Sequence, residues 1–173
     1  MLHRVKKEND LNRDKWVGIG GKFEDGESPE ECNAREVLEE TGLTLLSSHY
    51  RGIVTFVSDK WETEYMHIFH SDSFTGEIKE CDEGALEWID KQELYNKPIW
   101  EGDKIFLRLL EKPSPFFSLK LQYIGDTLVN SVLHLRNKKE VYEYLRLRCF
   151  KQHHWKSYQS HGGIGRKNGK ARA

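Results

Sequence analysis

The spacing of apolar positions along the chain predicts a mixture of strands and helices. The apolar, β-branched run over 43–57, with Gly52 as a break, predicts a strand, and the alternation over 64–71 predicts its partner. Apolar residues at helical spacing predict a helix over 100–111, which Pro113 ends. Further strands are predicted over 16–19 and 86–89, and a hairpin joins 116–123 to 127–135. This mixture favours an α/β (α+β) domain with a mixed sheet.

The clearest element is a helix over 29–41, because local chemistry defines both of its ends. Ser28 is a good N-cap, Pro29 suits the first helical position, and Glu31 completes a capping box. Gly42 suits the position just after the last turn. The segment before this helix is rich in glycine and predicts a loop.

The two faces of this helix differ sharply in chemistry. At 100° per residue, small and apolar side chains share one face, and Glu36, Glu39 and Glu40 share the other. Like charges at these spacings repel, and anions near a helix C-terminus oppose the macrodipole. A solvated acidic face would explain the pattern without any function. A hard divalent cation such as Mg²⁺ would instead compensate the charges.

Composition and charge exclude several classes of protein. The 173 residues are 37% hydrophobic, 12% aromatic and 32% charged, which indicates a folded core. No apolar run approaches about 18 residues, so no membrane span is expected. The N-terminus lacks the features of a signal peptide, and three widely spaced cysteines predict no disulfide framework. We therefore expect a cytoplasmic protein without a membrane partner.

The net charge of −1 is the sum of two unlike segments. The 38 residues from Arg136 carry 11 Lys and Arg side chains against two Glu, so the first 135 residues are strongly acidic. We expect a folded domain over 1–135 and a basic extension over 136–173, helical over 138–150 and disordered after 152. No contact with nucleic acid is expected outside this extension, and an extension without a function is the favoured interpretation. The pattern gives no oligomeric state.

The acidic helix lies inside a longer motif. Residues 21–43 fit the spacing G-x5-E-x7-R-E-U-x-E-E-x-G-U, in which U is aliphatic. A chance match has a probability on the order of 10⁻⁸ per start position at average residue usage. The chain is therefore identified as resembling the Nudix hydrolases, and residues 16–22 resemble the MutT-like, 8-oxo-dGTP diphosphatase branch of that family.

The resemblance implies a fold and a reaction. The fold is a Nudix α/β/α sandwich with a mixed β-sheet, and we expect part of its first strand to be missing because the chain starts within that strand. The implied reaction is Mg²⁺-dependent hydrolysis, with Mn²⁺ able to substitute, that splits a nucleoside triphosphate into a monophosphate and pyrophosphate. No covalent nucleophile is needed, because water attacks phosphorus while a carboxylate accepts its proton.

The resemblance also implies roles for particular residues. The implied metal ligands are the carbonyl of one loop glycine and four carboxylates: Gly21, Glu36, Glu39, Glu40 and Glu83. The general base is Glu40 or Glu39 and, as a second choice, Glu83. Glu27 and Arg35 hold the loop and the helix together.

Substrate recognition is implied by position. Lys22 is expected to touch phosphate, and Trp100 and Asp103 match positions that stack on and hydrogen-bond a purine. Trp100 also fits a core residue and Asp103 a helix cap. Val17 and Gly102 depart from the oxidised-purine branch, where an Asn and a second acidic residue stand. The alternatives are a Nudix enzyme for RNA 5′-triphosphate ends or dinucleoside polyphosphates, and a non-catalytic nucleotide-binding domain.

Overall fold

A computed structural model describes residues 1–6 and 10–136 of the chain. Its elements, in chain order, are β1 (Leu2–His3), β2 (Trp16–Val17), α1 (Pro29–Thr41), β3 (Thr44–Leu45), β4 (His49–Ser58), β5 (Glu64–His70), β6 (Phe74–Thr75), β7 (Ala85–Leu86), α2 (Lys91–Leu94), α3 (Asp103–Leu110), β8 (Phe116–Ile124) and β9 (Thr127–Arg136). The predicted mixture of strands and helices is confirmed. No helix within these described ranges is long and apolar enough to cross a membrane.

The largest sheet has four strands in the order β5-β4-β8-β9. β4 runs antiparallel to β5 and parallel to β8, and β8 runs antiparallel to β9, so the sheet is mixed as predicted. The predicted break at Gly52 coincides with a register shift in β4 between Tyr50 and Gly52. A Cβ at Gly52 would lie 2.5 Å from the Phe117 ring, so this position must lack a side chain.

The main buried cluster of the domain belongs to this sheet and to helix α3. Its enclosed residues lie on β4 and β8: Val54, Phe117, Leu119, Leu121 and Tyr123. Apolar side chains of α3 pack against them, in agreement with the predicted helical spacing. The helix begins at Asp103 rather than at the predicted Trp100, since Gly102 N–H donates to the Tyr123 hydroxyl at 2.8 Å. This bond fixes residues 100–102 as a turn before the helix.

Two small sheets carry the shorter strands. β1 lies between β2 and β7, and β3 pairs with β6. The predicted strands over 16–19 and 86–89 are shorter than expected, and β6 was not predicted, because two-residue strands have no measurable periodicity. The expected loss of part of the first strand stays a prediction.

The predicted boundary after residue 135 also stays a prediction. Residues Met1–Arg136 form one unit, and β9 continues to Arg136. The predicted helix over 138–150 and the predicted disorder after 152 lie outside the described residues.

Candidate active site

Helix α1 begins and ends as its sequence predicts. The Ser28 hydroxyl accepts from Glu31 N–H at 3.2 Å, and the Glu31 carboxylate accepts from Ser28 N–H at 2.8 Å. Gly42 adopts φ +78° and donates its N–H to the Leu38 carbonyl at 2.9 Å. A Cβ at Gly42 would meet the Glu77 carbonyl oxygen at 2.9 Å, so glycine is required by both conformation and space. Because these caps fix both ends of α1, they also fix the position of its acidic face.

Arg35 joins the loop before α1 to the acidic face. Its Nε and Nη2 donate to the two Glu27 carboxylate oxygens at 2.8 and 3.0 Å, a bidentate pair. Nη1 donates to Glu36 and Glu39 at 2.9 and 3.0 Å, and Nη2 also donates to the Lys22 carbonyl at 3.1 Å. The hydrogen bonds from Arg35 lower the pKa of Glu27 to about 2. The structure thus brings together the two residues implied to support the site.

The glycine pair before this loop lies directly against the helix. Gly20 N–H donates to the Glu40 carboxylate at 3.2 Å. A Cβ at Gly21 would lie 2.2 Å from the Glu36 Oε1 atom, so a larger residue here would push the Glu36 carboxylate away from its position. Burial, together with the like charges of Glu83 and Glu36, raises the pKa of Glu40 to about 7. Glu40 therefore lies in an environment that is short of positive charge.

Glu83 reaches the same neighbourhood from a distant part of the chain. The Arg4 guanidinium donates to Glu83 through Nη1 and to Asp10 through Nε, the latter at 2.6 Å. The charge of Glu83 acts on Glu40, as the raised pKa of Glu40 shows. Sequence analysis proposed Glu83 but did not find Arg4 or Asp10, because neither belongs to a spaced motif.

The carboxylates do not form a closed set of metal ligands. Within residues 1–6 and 10–136, no three His, Cys, Asp or Glu side chains are grouped closely enough to hold a metal ion. Arginine contacts explain this spread, since Arg35 engages Glu36 and Glu39 while Arg4 engages Glu83.

The chemistry of these donors nevertheless fits a hard divalent cation. Carboxylate and backbone carbonyl oxygens are the ligands that Mg²⁺ and Mn²⁺ prefer. The bare Gly21 backbone against Glu36, and the excess negative charge around Glu40, are both features that a cation would use.

The residues implied to recognise a purine lie at the start of α3. Trp100 Nε1–H donates to the Asn12 side-chain oxygen at 2.8 Å, and the Lys15 ammonium lies 4.8 Å from the Trp100 ring centroid. Tyr123 meets the Trp100 ring edge-on at 5.5 Å. Burial raises the pKa of Asp103 to about 7. Sequence analysis missed Asn12 and Lys15, whose roles depend on a contact with a residue more than 80 positions away.

The structure also shows whether Asp103 is the cap of α3 and whether Trp100 packs against the core. Gly102 is the N-cap of α3, and it makes no side-chain capping bond. Asp103 is therefore the first helical residue and not the cap. Trp100 precedes the helix and packs against the core with part of its surface.

A polar cavity of about 370 Å³ lies beside these groups. It is lined by basic, acidic and aromatic side chains: Arg4, Asp10, Leu11, Asn12, Lys22, Phe56, Trp61 and Glu64. Lys22 is one of the lining residues, and its contact with phosphate stays a prediction. Trp100 is linked to the cavity through Asn12. Phe56 and Trp61 supply the aromatic part of this lining.

Comparisons with known proteins agree with the geometry. The model of the NUDIX domain matches residues 1–110. The chain is 37% identical to an uncharacterized Nudix hydrolase, YvcI, of Bacillus subtilis over 102 residues, which are 56% of this chain and 65% of that protein. It is 36% identical to an oxidized purine nucleoside triphosphate hydrolase of Danio rerio over 112 residues, 64% of this chain and 71% of that one.

A solved structure shows the same arrangement. The crystal structure of a mutator MutT protein from Bacillus halodurans superposes with a TM-score of 0.67, at 29% identity, over 76% of this chain and 86% of that one. The match to the Bacillus subtilis relative spans just under two thirds of that protein's length. With the NUDIX model covering more than half of the chain, the protein belongs to the Nudix hydrolase family.

Proposed function

We propose that the protein is a Mg²⁺-dependent pyrophosphohydrolase that splits purine nucleoside triphosphates into the monophosphate and pyrophosphate. Its leading substrate is 8-oxo-dGTP, so that the protein would remove oxidised nucleotides from the cytoplasmic pool before they enter DNA. The names of the Danio rerio relative and of the MutT structure support this direction.

One observation carries the proposal. The loop at Gly20–Gly21 lies directly against the acidic face of α1, where Glu40 accepts from Gly20 N–H and Glu36 touches the bare Gly21 backbone. These two contacts place the loop backbone beside two carboxylates of the acidic face, and Lys22, the next residue of the same loop, lines the cavity of about 370 Å³. A loop that places a backbone N–H on Glu40 and no side chain between Gly21 and Glu36 is not expected for an acidic helix face that merely contacts water.

Each residue has a distinct task in this proposal. Glu36, Glu39, Glu40, Glu83 and the Gly21 carbonyl would hold the cation. When bound, Mg²⁺ neutralises phosphate charge and lowers the pKa of the attacking water. Arg35 keeps Glu36 and Glu39 in place from the side of the loop. Lys22 would contact phosphate.

Among these carboxylates we propose Glu40 as the general base. Its hydrogen bond comes from a backbone N–H at 3.2 Å, whereas Glu36, Glu39 and Glu83 each engage a guanidinium. A carboxylate that is buried among like charges is a better proton acceptor than one paired with arginine. Glu39 and Glu83 are the alternatives.

Recognition of the base is proposed at the start of α3. A purine would stack on Trp100, while the side chain of Asp103, which burial holds partly protonated at neutral pH, would donate or accept a hydrogen bond at the base edge. Val17 and Gly102 differ from the residues that the oxidised-purine branch has at these positions. The preference for 8-oxo-dGTP over dGTP is therefore the most specific part of the proposal.

A substrate panel tests the function. The full chain is assayed with Mg²⁺ or Mn²⁺ on 8-oxo-dGTP, dGTP, dCTP, a dinucleoside polyphosphate and 5′-triphosphorylated RNA, and the products are separated and quantified by anion-exchange chromatography. Glu40→Gln serves as the inactive variant, and Glu30→Gln, an exposed residue on the first turn of the same helix, as its matched control. We expect the highest kcat/KM on 8-oxo-dGTP. A preference for RNA or a dinucleoside polyphosphate would replace the substrate class, and nucleotide binding without turnover would leave only a binding domain.

A further inference from the structure

A continuous set of polar contacts connects the two ends of the candidate active site. Arg4 donates to Glu83 through Nη1 and to Asp10 Oδ2 through Nε at 2.6 Å. The other oxygen of Asp10 accepts from Asn12 N–H at 2.9 Å, and Asn12 Oδ1 accepts from Trp100 Nε1–H at 2.8 Å. Five residues from four separate parts of the chain are thus joined, and we call Glu83, Arg4, Asp10, Asn12 and Trp100 the polar relay.

The middle of the polar relay is buried and held by the backbone. The side chains of Arg4 and Asp10 are only 14% and 9% exposed, so water screens their interaction weakly. Arg4 N–H donates to the Lys15 carbonyl at 3.0 Å, and the Arg4 carbonyl accepts from Asp14 N–H at 2.9 Å. The loop over 10–15 is therefore attached to Arg4 through both main chain and side chain.

The ends of the polar relay serve different tasks under the proposed function. Glu83 lies close enough to Glu40 for its negative charge to raise the pKa of Glu40. Trp100 lies at the proposed nucleobase subsite, and Lys15 from the same loop covers one face of its ring. Arg4, Asp10 and Asn12 of the polar relay also line the cavity. A displacement of the loop over 10–15 would therefore change the surroundings of both Glu83 and Trp100.

On the basis of the proposed function, we propose that Arg4 and Asp10 are positioning residues that couple the seating of a nucleobase at Trp100 to the placement of Glu83. A base that presses on Trp100 stabilises one position of Asn12, which fixes Asp10, Arg4 and finally the carboxylate. The base would then raise kcat as well as affinity, because correct seating places a group used in the chemical step.

A double-mutant cycle with two substrates tests this coupling. Asn12→Ala and Arg4→Lys are made singly and together, with Arg108→Lys, an exposed residue of α3, as the matched control for the arginine. Pyrophosphate release is measured with Mg²⁺ on dGTP and on 2-deoxyribose 5-triphosphate, which lacks a base. Thermal unfolding of each variant reports on the fold.

The polar relay predicts a specific pattern of rates. On dGTP each single variant lowers kcat by roughly tenfold, the value of one lost hydrogen bond to a charged or buried partner, and the double variant loses well under a hundredfold. On the triphosphate that lacks a base, Asn12→Ala leaves kcat unchanged, while Arg4→Lys lowers kcat as it does on dGTP. Effects that multiply on dGTP, a change confined to KM, or an equal effect of Asn12→Ala on both substrates would overturn the coupling.

A second measurement is independent of turnover. The indole N–H resonance of Trp100, assigned with Trp100→Phe, is followed by ¹H–¹⁵N NMR in Arg4→Lys and in Asp10→Asn, with Asp126→Asn at an exposed hairpin as control. We expect the first two variants to move this resonance by more than its linewidth, and the control to leave it in place. An unmoved resonance in both would refute the polar relay. If the wild type releases no pyrophosphate from any nucleotide, the proposed function fails, and this measurement still decides the structural connection.

Discussion

The carboxylate end and the nucleobase end of the candidate site are built on different principles. At the carboxylate end, charged groups from one continuous stretch over 20–42 pair with each other, and Arg35 alone contacts three carboxylates. At the nucleobase end, Trp100 is held by one neutral hydrogen bond, a T-shaped ring contact and a lysine above its face. The first end depends on charge and local spacing, and the second on packing between distant segments.

This difference teaches where function is sensitive to change. Removing a charge from a buried or paired set leaves its partner uncompensated, which costs more than losing a neutral hydrogen bond. Substitutions at the carboxylate end should therefore reduce kcat strongly for every substrate. Those at the nucleobase end should have smaller effects that depend on the base.

The largest expected effect is that of Glu40→Gln. The amide keeps the shape of the side chain but cannot accept a proton or bind a cation as a carboxylate does, so kcat should fall by about 10²–10⁴-fold. The fall should be equal for purine and pyrimidine triphosphates, since Glu40 does not face the base. Initial rates of pyrophosphate release give this number, and Glu30→Gln should retain full activity. A loss of kcat that is restricted to triphosphates of one base would contradict the distinction between the two ends of the site.

The same comparison explains what could be predicted from the sequence. The caps of α1, its acidic face and the pairing of Arg35 with Glu27 all lie within 23 consecutive residues, so helical geometry and a spaced motif predict them. The Gly52 break and the hairpin at 125–126 are also local features, and both are present.

The remaining contacts depend on tertiary structure. Arg4 and Glu83 are 79 positions apart, and Asn12 and Trp100 are 88 apart. No periodicity or turn signal connects such pairs, because their contact results from how whole elements pack. For the same reason the sequence did not indicate the parallel pairing of β4 with β8 or the strand β6.

A second test of the carboxylate end concerns its stability in acid. The pKa of Glu27 is about 2 in the folded protein, below the value of about 4.3 expected when unfolded. The pair with Arg35 therefore stabilises the fold fully above pH about 4.3 and loses that contribution as the pH falls toward 2. Arg35→Lys should make unfolding less dependent on pH in this window and lower kcat by roughly tenfold to a hundredfold. Urea unfolding at several pH values measures the first effect, and an unchanged pH slope would contradict it.

Asp103→Asn tests the nucleobase end through pH. Burial raises the pKa of Asp103 to about 7, so its neutral form, which can donate a hydrogen bond, is lost as the pH rises through 7. In the wild type, KM for a purine triphosphate should then rise with pH near 7 by roughly tenfold, and Asp103→Asn should remove this change.

Glu40 also has a pKa near 7, and its effect should be common to all substrates. A pyrimidine triphosphate therefore serves as the control. A pH profile that is the same for both bases would contradict a role for Asp103 in recognition.

The smallest expected effect is that of Lys15→Met. The structure contains a matched pair for this test, since Lys15 lies 4.8 Å from the Trp100 ring centroid and Lys97 lies at the same distance from Trp16. A cation over an exposed indole contributes about 0.5–1 kcal/mol, which corresponds to a factor of about two to five. Because the Lys15 ammonium occupies a ring face on which a purine would stack, Lys15→Met should lower KM for dGTP by that factor, while Lys97→Met should leave KM unchanged. A rise in KM would show instead that the ammonium assists binding, and an equal effect of both variants would show that Trp100 is no more a base-binding surface than Trp16.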